Sequence, residues 1–305
     1  MGGRDGLSHP PADPRAGPLD AMAGWPVAQA GGVVVRLEGP GPGAVPAAVG
    51  QAGDVDAVLP WASVTKLLVT MAVLVAVEEG TVSLDDRAGP PGSTVRHLLA
   101  HASGLAPEGG AVLAPPGRRR IYSNAGFEVL AQHLASAAGM EVDTYVRLGV
   151  TEPLGMTATA LAPGASPASG AWGSGRDLAR LGAELLAPRL VSPATLASAT
   201  ATAFPGLAGV LPGFGRFDPC DWGLGFERRD AKAPHWTGPA NSPATFGHFG
   251  QRAGFLWVDP GPGLACAVLS DGAFGPWAAE AWPALADAVV ARWGGPEPGG
   301  AAPVA

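Results

Sequence analysis

The sequence predicts an α+β fold in which an antiparallel sheet is flanked by helices and an all-helical subdomain is inserted. A strand-like segment lies at residues 31–39, and helical patterns dominate from residue 63 to about residue 204. Short strand-like runs follow residue 205, and a helical pattern at 276–293 closes the chain. Strands, then helices, then strands and a last helix are the order expected for a sheet with a helical insertion.

The first two elements are a strand and a buried helix. The run "GGVVVRLEG" at 31–39 is β-branched and bounded by glycines, which is typical of a strand. A Pro/Gly-rich turn at 40–46 leads to a second short strand before Gly50. Residues 63–79 have a helical pattern that is apolar almost all round and closed by Gly80. A helix of this kind is expected to be buried.

The middle of the chain contains helices separated by turn residues. Residues 106–117 are rich in glycine and proline and are therefore expected to form a loop. The predicted helices are a short one ending at Gly104, an amphipathic one at 123–139, one after residue 141 that breaks at Pro153, and one that begins at Ser174 with Asp177 three residues later, a spacing typical of a capping box.

The last third contains short β-like runs with turns between them, which predict an antiparallel meander. These runs are "DWGLGFERR", "TFGHFGQ", "GFLWVDP" and "GLACAVLSDG". The expected organisation is a flexible leader (1–24), a single domain (25–293) and a flexible tail (294–305). Within the domain we expect an α/β part at about 25–90 and 205–293, and a helical part at about 91–204.

Composition and charge exclude several classes of protein. The net charge of −7 and the absence of a long basic run argue against nucleic-acid binding, since the triplet Arg118-Arg119-Arg120 is too short. The longest uncharged apolar stretch, 67–77, is too short to span a membrane, and the first 20 residues have no apolar core of a signal peptide. We therefore expect a cytoplasmic protein, with its two cysteines as reduced thiols.

The usual metal and cofactor motifs are missing. The sequence has no G-x-S-x-G, H-E-x-x-H, Walker A or C-x-x-C motif, and no G-x-G-x-x-G follows a strand. His97 and His101 have helical i, i+4 spacing, but no third ligand is evident nearby. We expect neither a metal nor a cofactor.

Ser63 and Lys66 form an S-x-x-K pair at the start of the apolar helix. Residues at i and i+3 share a helix face, so the lysine amine can reach the serine hydroxyl. A serine nucleophile needs a neighbouring base, and burial favours the neutral lysine that could serve as one. The alternative is an ordinary helix N-terminus, with the serine as its cap and the lysine on the surface.

Two further clusters hold candidate site residues. Tyr122 could carry a proton to or from a serine oxygen, and Asn124 offers both a donor and an acceptor. The alternative is that Ser123 or Asn124 only caps a helix while the tyrosine packs. The second cluster, His248 to Gly250, lies in the predicted meander, where a glycine permits close approach of a ligand. A strand histidine beside a turn is its simpler interpretation.

In combination these motifs resemble the serine β-lactamase and penicillin-binding-protein superfamily. The likeness is strongest to its class C β-lactamase, D-Ala-D-Ala carboxypeptidase and family VIII esterase branch. The similar segments are "ASVTK", "VRHLLAHASGL", "RIYSNAGFEVLA", "EPLGM", "GSGRDLARL" and "DWGLGFE". The resemblance as a whole covers about residues 30–292.

The resemblance implies a fold and a set of roles. The fold is β-lactamase/transpeptidase-like, with Ser63 as the acylated nucleophile and with Lys66 and Tyr122 sharing the duties of general base and acid. Asn124 and His248 would contact substrate, and Gly250 would line the strand beside it. The backbone N–H groups of Ser63 and Gln251 would form the oxyanion hole.

Two departures from the family pattern affect the expected substrate. The second motif is Y-S-N rather than S-D-N, and no deacylating glutamate of the class A kind is identified. His248 stands where many relatives have the lysine of K-T-G. We therefore expect its binding of a substrate carboxylate to be weaker or pH-dependent.

The leading functional prediction is a serine hydrolase that acts through an acyl-enzyme on an ester or amide of a small molecule. The alternatives are a β-lactamase or D-alanyl-D-alanine carboxypeptidase/D-aminopeptidase, an acyltransferase of natural-product biosynthesis, and a non-catalytic binding protein that keeps the fold. The expected partner is a small-molecule ester, amide or lactam, with no nucleic acid and no membrane. The oligomeric state is left open.

Overall fold

The computed structural model describes residues 17–39 and 41–295. Within these residues the strands are β1 (Ala30–Glu38), β2 (Val45–Gly53), β3 (Val58–Pro60), β4 (Ala160–Leu161), β5 (Ala171–Ser174), β6 (Gly209–Leu211), β7 (Gly215–Phe217), β8 (Glu227–Arg228), β9 (Phe246–Phe249), β10 (Phe255–Asp259) and β11 (Leu264–Ser270). The α-helices are α1 (Thr65–Glu78), α2 (Val95–Leu99), α3 (Asn124–Ala138), α4 (Val142–Val146), α5 (Gly175–Leu186), α6 (Pro193–Thr200) and α7 (Pro276–Trp293).

The main sheet contains six strands in the order β2-β1-β11-β10-β9-β8, and each pair of neighbouring strands is antiparallel. Strand β1 lies between its neighbour in sequence, β2, and the last strand of the chain, with Ala30 opposite Ser270. The predicted meander is therefore completed by the first strand of the chain. The predicted antiparallel sheet flanked by helices is confirmed.

The sheet separates two apolar cores, because side chains alternate between its faces along each strand. In β10, Leu256 and Val258 belong to the core that also contains α1. Phe255 and Trp257 belong to the opposite core, which contains Trp282 of α7. Both faces of this antiparallel sheet are thus covered, although such sheets commonly leave one face to solvent.

Helix α1 is buried almost throughout, as its all-round apolar pattern predicted. Every residue from position 65 to position 76 is buried, including Lys66, whose exposed fraction is 0%. A 3-10 turn, Ala62–Val64, comes immediately before this helix. The buried helix thus holds Lys66 in the interior, and the turn before it holds Ser63.

Other predicted helices differ in their ends. The short helix predicted to end at Gly104 stops at Leu99, and His101 has a positive φ of 53° that no longer continues a helix. The helix after residue 141 passes into a π-helical turn, Arg147–Thr151, before reaching Pro153. At α5, Ser174 caps the Asp177 N–H as predicted.

Helix α5 lies against the six-stranded sheet, although the sequence placed it in the helical part. Its Gly182 permits this approach, because a Cβ there would lie 3.1 Å from Leu256 and 3.2 Å from Ala265. Strands β4 and β5 also fall within the predicted helical part and form a small sheet with β3, in the order β3-β5-β4. The division of the domain into an α/β part and a helical part, at residues 91 and 204, stays a prediction.

The N-terminal boundary needs a correction. Pro18–Gly24 form a 3-10 helix whose Leu19 and Met22 are buried in the core with α7, so these residues are not part of a flexible leader. Most of the expected leader and tail, 1–16 and 296–305, lies outside the described residues. In the described part of the chain, none of the helices combines the length and apolar character needed to cross a membrane.

Candidate active site

The candidate nucleophile sits in the turn that precedes α1. The N-cap position of α1 is Val64, and no side-chain cap is present there, so Ser63 does not serve as the cap of this helix. Its neighbour Ala62 has a φ of +45°, an uncommon backbone conformation for a residue with a side chain. Strained backbone of this kind is concentrated at functional sites.

The Lys66 amine is held among acceptors. Its Nζ atom donates to Asn124 Oδ1 at 2.6 Å and to the Ala168 carbonyl at 2.8 Å, and it lies 3.4 Å from Ser63 Oγ. The surface-lysine alternative is therefore wrong. The amine also lies 4.8 Å from the centre of the Tyr122 ring.

Burial lowers the pKa of Lys66 to about 7, and the carboxylates of Glu108 and Glu128 only partly offset that effect. A neutral amine has two N–H donors and one lone pair. With the donors directed to Asn124 and Ala168, the lone pair is left for the Ser63 hydroxyl. This arrangement suits an amine that accepts the serine proton.

Tyr122 lies beside the serine and the lysine. Burial raises the pKa of its hydroxyl well above the usual range, and a hydrogen bond with Ser63 offsets only part of the rise. Its ring packs against His101, with centroids 4.7 Å apart, and against Trp222 at 5.8 Å. The hydroxyl therefore stays protonated near neutral pH and is suited to donate a proton or hydrogen bond.

His248 is buried with one free ring nitrogen. Its Nδ1 donates to the Phe249 carbonyl at 2.7 Å, which leaves Nε2 unprotonated in the neutral ring and without a partner in the described structure. Burial, reinforced by the nearby Lys66, lowers the pKa of His248 to about 3. The imidazole is thus neutral around pH 7, and the weaker or pH-dependent binding of a carboxylate expected of this residue stays a prediction.

Gly250 brings the end of β9 against the serine turn. A Cβ at this position would lie 2.7 Å from the Trp61 carbonyl and 3.2 Å from the Ser63 nitrogen, so only glycine fits. Among the described residues, the next backbone N–H, that of Gln251, has no hydrogen-bond partner. The N–H groups of Ser63 and Gln251 therefore come from two segments in contact, as an oxyanion hole requires.

The predicted site residues meet at one cavity of about 190 Å³. Ser63, Tyr122, Asn124, His248 and Gln251 line this cavity. Lys66 is connected to the cavity through its hydrogen bonds to Ser63 and Asn124, and Gly250 lies against the serine turn. The structure thus brings all seven residues together.

Sequence reasoning missed several neighbours of the site. The Ala168 carbonyl holds Lys66, and Glu108 accepts a hydrogen bond of 2.5 Å from Asn124 Nδ2. A backbone carbonyl carries no signature in sequence, and Glu108 lies in a Gly/Pro-rich loop. His101 had a signal in "LLAHASGL", but its helical spacing from His97 suggested only surface or core packing.

Glu227 joins the cavity wall to a buried ionic cluster. Its carboxylate accepts from Lys232 Nζ at 2.8 Å, from Trp236 Nε1 at 2.7 Å and from His235 Nε2 at 2.8 Å. Burial alone would raise its pKa, but His235 and Lys232 outweigh burial and hold the pKa at about 2. Since both oxygens are engaged, this carboxylate is poorly placed to act as a base.

An S-x-x-K pair with a buried lysine and a nearby tyrosine, set between an antiparallel sheet and helices, defines a serine hydrolase of the β-lactamase-like type. The family model described as beta-lactamase matches residues 25–291, and the chain belongs to this family.

Individual relatives support the same assignment. A beta-lactamase from Mycobacterium bovis is 50% identical, with a TM-score of 0.86 over 90% of this chain and 99% of that one. A mutant of simvastatin synthase (LovD) from Aspergillus terreus shares the fold, with 16% identity and a TM-score of 0.70 over 90% of this chain and 96% of that one.

A curated relative matches only in part. The D-alanyl-D-alanine-carboxypeptidase/endopeptidase AmpH of Escherichia coli is 30% identical in an alignment of 147 residues, with a coverage of 36% of this chain and 38% of that protein. The match therefore spans well under half the length of the curated relative.

Proposed function

We propose that this protein is a serine hydrolase that acts through an acyl-enzyme on an ester or amide of a small molecule. The observation that carries the proposal is the Lys66 amine. It is fully buried, its donors are occupied by Asn124 and Ala168, and its pKa is lowered to about 7 beside Ser63. Such an amine is a competent base near neutral pH.

In the first step, Ser63 Oγ attacks the substrate carbonyl carbon while its proton passes to Lys66 Nζ. The oxyanion that forms accepts hydrogen bonds from the backbone N–H groups of Ser63 and Gln251. As the bond to the leaving group breaks, the Tyr122 hydroxyl donates a proton to it. The proton held by Lys66 then passes to the Tyr122 oxygen and restores its hydroxyl. The product of this step is an acyl-Ser63 ester.

In the second step, an acceptor takes the acyl group from Ser63. Water gives hydrolysis, whereas an alcohol or amine gives acyl transfer, and the same lysine–tyrosine pair would remove the acceptor's proton in reverse order. The acyltransferase alternative differs only in which acceptor prevails. We take water as the acceptor, because the chain belongs to a family of hydrolases.

Activity on β-lactams is the second candidate, favoured by the 50% identity to the beta-lactamase from Mycobacterium bovis. The neutral His248 weighs against it, because a β-lactam carries a carboxylate that a lysine at this position would pair with. The D-alanyl peptidase alternative rests on the partial match to AmpH and meets the same objection. We therefore rank first small esters and amides that carry no charge beside the scissile bond, with the cytoplasm as the proposed compartment.

Covalent labelling followed by peptide mass spectrometry tests the proposal. The protein is treated with a fluorophosphonate and, separately, with a penicillin, and a Ser63→Ala variant is the control. We expect the fluorophosphonate adduct on Ser63 and its loss in the variant. Labelling at another residue, or none with either reagent, would contradict the acyl-enzyme mechanism. Turnover of p-nitrophenyl esters, nitrocefin and D-amino-acid anilides then ranks the substrate classes.

A further inference from the structure

A second cavity adjoins the catalytic one and is lined by arginines. It has a volume of about 540 Å³ and shares Tyr122 and Pro212 with the catalytic cavity. Its walls include Arg118, Arg119 and Arg216, and we name it the arginine groove. Because Tyr122 and Pro212 line both spaces, a group attached to a carbonyl at Ser63 would have the arginine groove within its reach.

The cations of the arginine groove are largely uncompensated. Within residues 17–39 and 41–295, neither Arg118 nor Arg119 has a carboxylate within ion-pair distance. Arg216 has only Asp218 at 3.9 Å, and both side chains are exposed. Toward the catalytic cavity, Glu108 is engaged with Asn124, and Asp221 acts electrostatically on the neighbouring Arg120.

A buried arginine adds to the positive charge of the same wall. Arg120 donates to the carbonyls of Ala100, Ala203 and Cys220, at 2.5, 2.8 and 3.1 Å, and none of these acceptors is charged. Burial lowers its pKa to about 10, so it remains a cation near neutral pH. The segment 118–120, too short for a nucleic-acid site, therefore provides a compact positive wall.

The groove also has apolar walls. Leu113 and Val210 line it with exposed fractions of 53% and 55%, and the buried Ile121 lines it as well. Guanidinium groups recognise carboxylates and phosphates through paired N–H donors. Apolar surface beside such donors suits an aliphatic or aromatic linker that ends in an anion.

We propose that the arginine groove is a substrate subsite for an anionic group, a carboxylate or a phosphate, joined by an apolar linker to the acyl carbonyl or to the leaving group. The inference rests on the proposed function, since it places the scissile carbonyl at Ser63. It complements the neutral His248: the substrate is uncharged beside the scissile bond and anionic farther out.

Paired substrates of equal length test this subsite. The p-nitrophenyl half-esters of glutaric, adipic and suberic acid carry a carboxylate, and their methyl-capped diesters do not. At the best linker length, we expect kcat/KM for the anionic substrate to be about tenfold higher than kcat/KM for its neutral partner. In an Arg118→Gln/Arg119→Gln variant, this ratio should fall to about one. Comparing 4-acetoxyphenyl phosphate with 4-acetoxybenzoate tests phosphate against carboxylate on the leaving group.

The charge-matched control is an Arg189→Gln/Arg292→Gln variant, whose arginines are both exposed and outside the groove. It should keep the wild-type ratio. A wild-type ratio of one or below in both the acyl and the leaving-group series would overturn the proposal. An equal loss in the control variant would do the same, because it would reflect net charge alone.

A binding measurement separates this proposal from the proposed function. Octyl phosphate and octanoate are titrated calorimetrically into Ser63→Ala, with and without the Arg118→Gln/Arg119→Gln changes. Binding that is weakened about tenfold by the arginine changes supports the subsite even if Ser63 is never acylated. Binding that the arginine changes leave unaltered contradicts the subsite even if fluorophosphonate labels Ser63.

Discussion

The Nζ atom of Lys66 donates a 2.6 Å hydrogen bond to Oδ1 of Asn124, and this contact links the proposed base to the start of α3. Asn124 in turn donates to Glu108 through Nδ2. The asparagine therefore places an uncharged acceptor next to the amine and separates it from a carboxylate. A charge introduced at position 124 or removed at position 108 should therefore change the pKa of Lys66.

An Asn124→Asp variant should move the acid limb of the acylation profile to higher pH. The introduced carboxylate would favour the ammonium form and raise the pKa of Lys66 above about 7, so less neutral amine is present at pH 7. Rates of fluorophosphonate labelling between pH 5.5 and pH 9 would measure the limb in both proteins.

Glu108→Gln is the opposing variant, because the Glu108 carboxylate raises the pKa of Lys66. Its removal should shift the limb to lower pH and keep a polar partner for Asn124. Shifts of the two variants in the same direction would show that Lys66 does not govern the limb.

The wild-type pH profile should have a single limb near neutrality. The neutral form of Lys66 is the base, so kcat/KM for a neutral ester should rise with pH and level off above an apparent pKa of about 7. His248, with a pKa of about 3, adds no limb in this range. A steady-state profile with p-nitrophenyl acetate from pH 5.5 to pH 9 tests both statements, and a fall in rate across pH 6–8 would contradict them.

A Lys66→Ala variant should lose acylation without losing stability. General base catalysis contributes about 10²- to 10⁴-fold, so labelling of Ser63 should slow by that order. The native fold buries this amine at a cost, as its lowered pKa shows, so the thermal midpoint should be unchanged or raised. Retained acylation in a correctly folded variant would remove Lys66 from the role of base.

Much of the site was predictable because its chemistry lies in short motifs. The apolar pattern after Lys66 predicted a buried lysine, and Ser63 three residues earlier predicted its partner. The charge state of His248 was not predictable, because it depends on burial and on Lys66, which is 182 positions away in sequence. The Ala168 carbonyl was hidden for a similar reason, since any residue could supply it.

In the fold, too, elements set by local sequence were predictable, whereas contacts between residues distant in sequence were not. Glycine-bounded β-branched residues predicted β1, and the alternation in "GFLWVDP" is visible as two faces in β10. The pairing of β1 with β11 joins residues more than 200 positions apart, and no local pattern specifies it. The burial of Leu19 and Met22 was missed because the surrounding residues are typical of a flexible leader.

Gly250→Ala should damage the site through sterics alone. The added methyl would press on the Trp61 carbonyl and crowd the Ser63 N–H, so the serine turn must shift. We expect slower labelling of Ser63 and a lower thermal midpoint. Gly24→Ala is the matched control, because a Cβ there meets nothing within 4 Å. Equal labelling rates in the two variants would show that the close contact at Gly250 is unnecessary.

Glu227→Gln should destabilise the protein by breaking the buried ionic cluster. The substitution leaves Lys232 almost fully buried without its carboxylate, and removing one partner of a buried pair costs about 3–5 kcal/mol. Because the folded-state pKa of Glu227 is lowered to about 2 from 4.5, its stabilising contribution is present above pH 4.5 and is lost as the pH falls toward 2.

Urea unfolding of the wild type and Glu227→Gln at pH 7 and pH 3.5 measures both effects. The free energy of unfolding should differ most at pH 7, and the difference should be smaller at pH 3.5, which lies between the two pKa values. The control is Glu280→Gln, at an exposed position of α7, which should leave the free energy of unfolding within about 0.5 kcal/mol of the wild type. A difference that grows on acidification would contradict the assignment of an ionised Glu227 as the centre of the cluster.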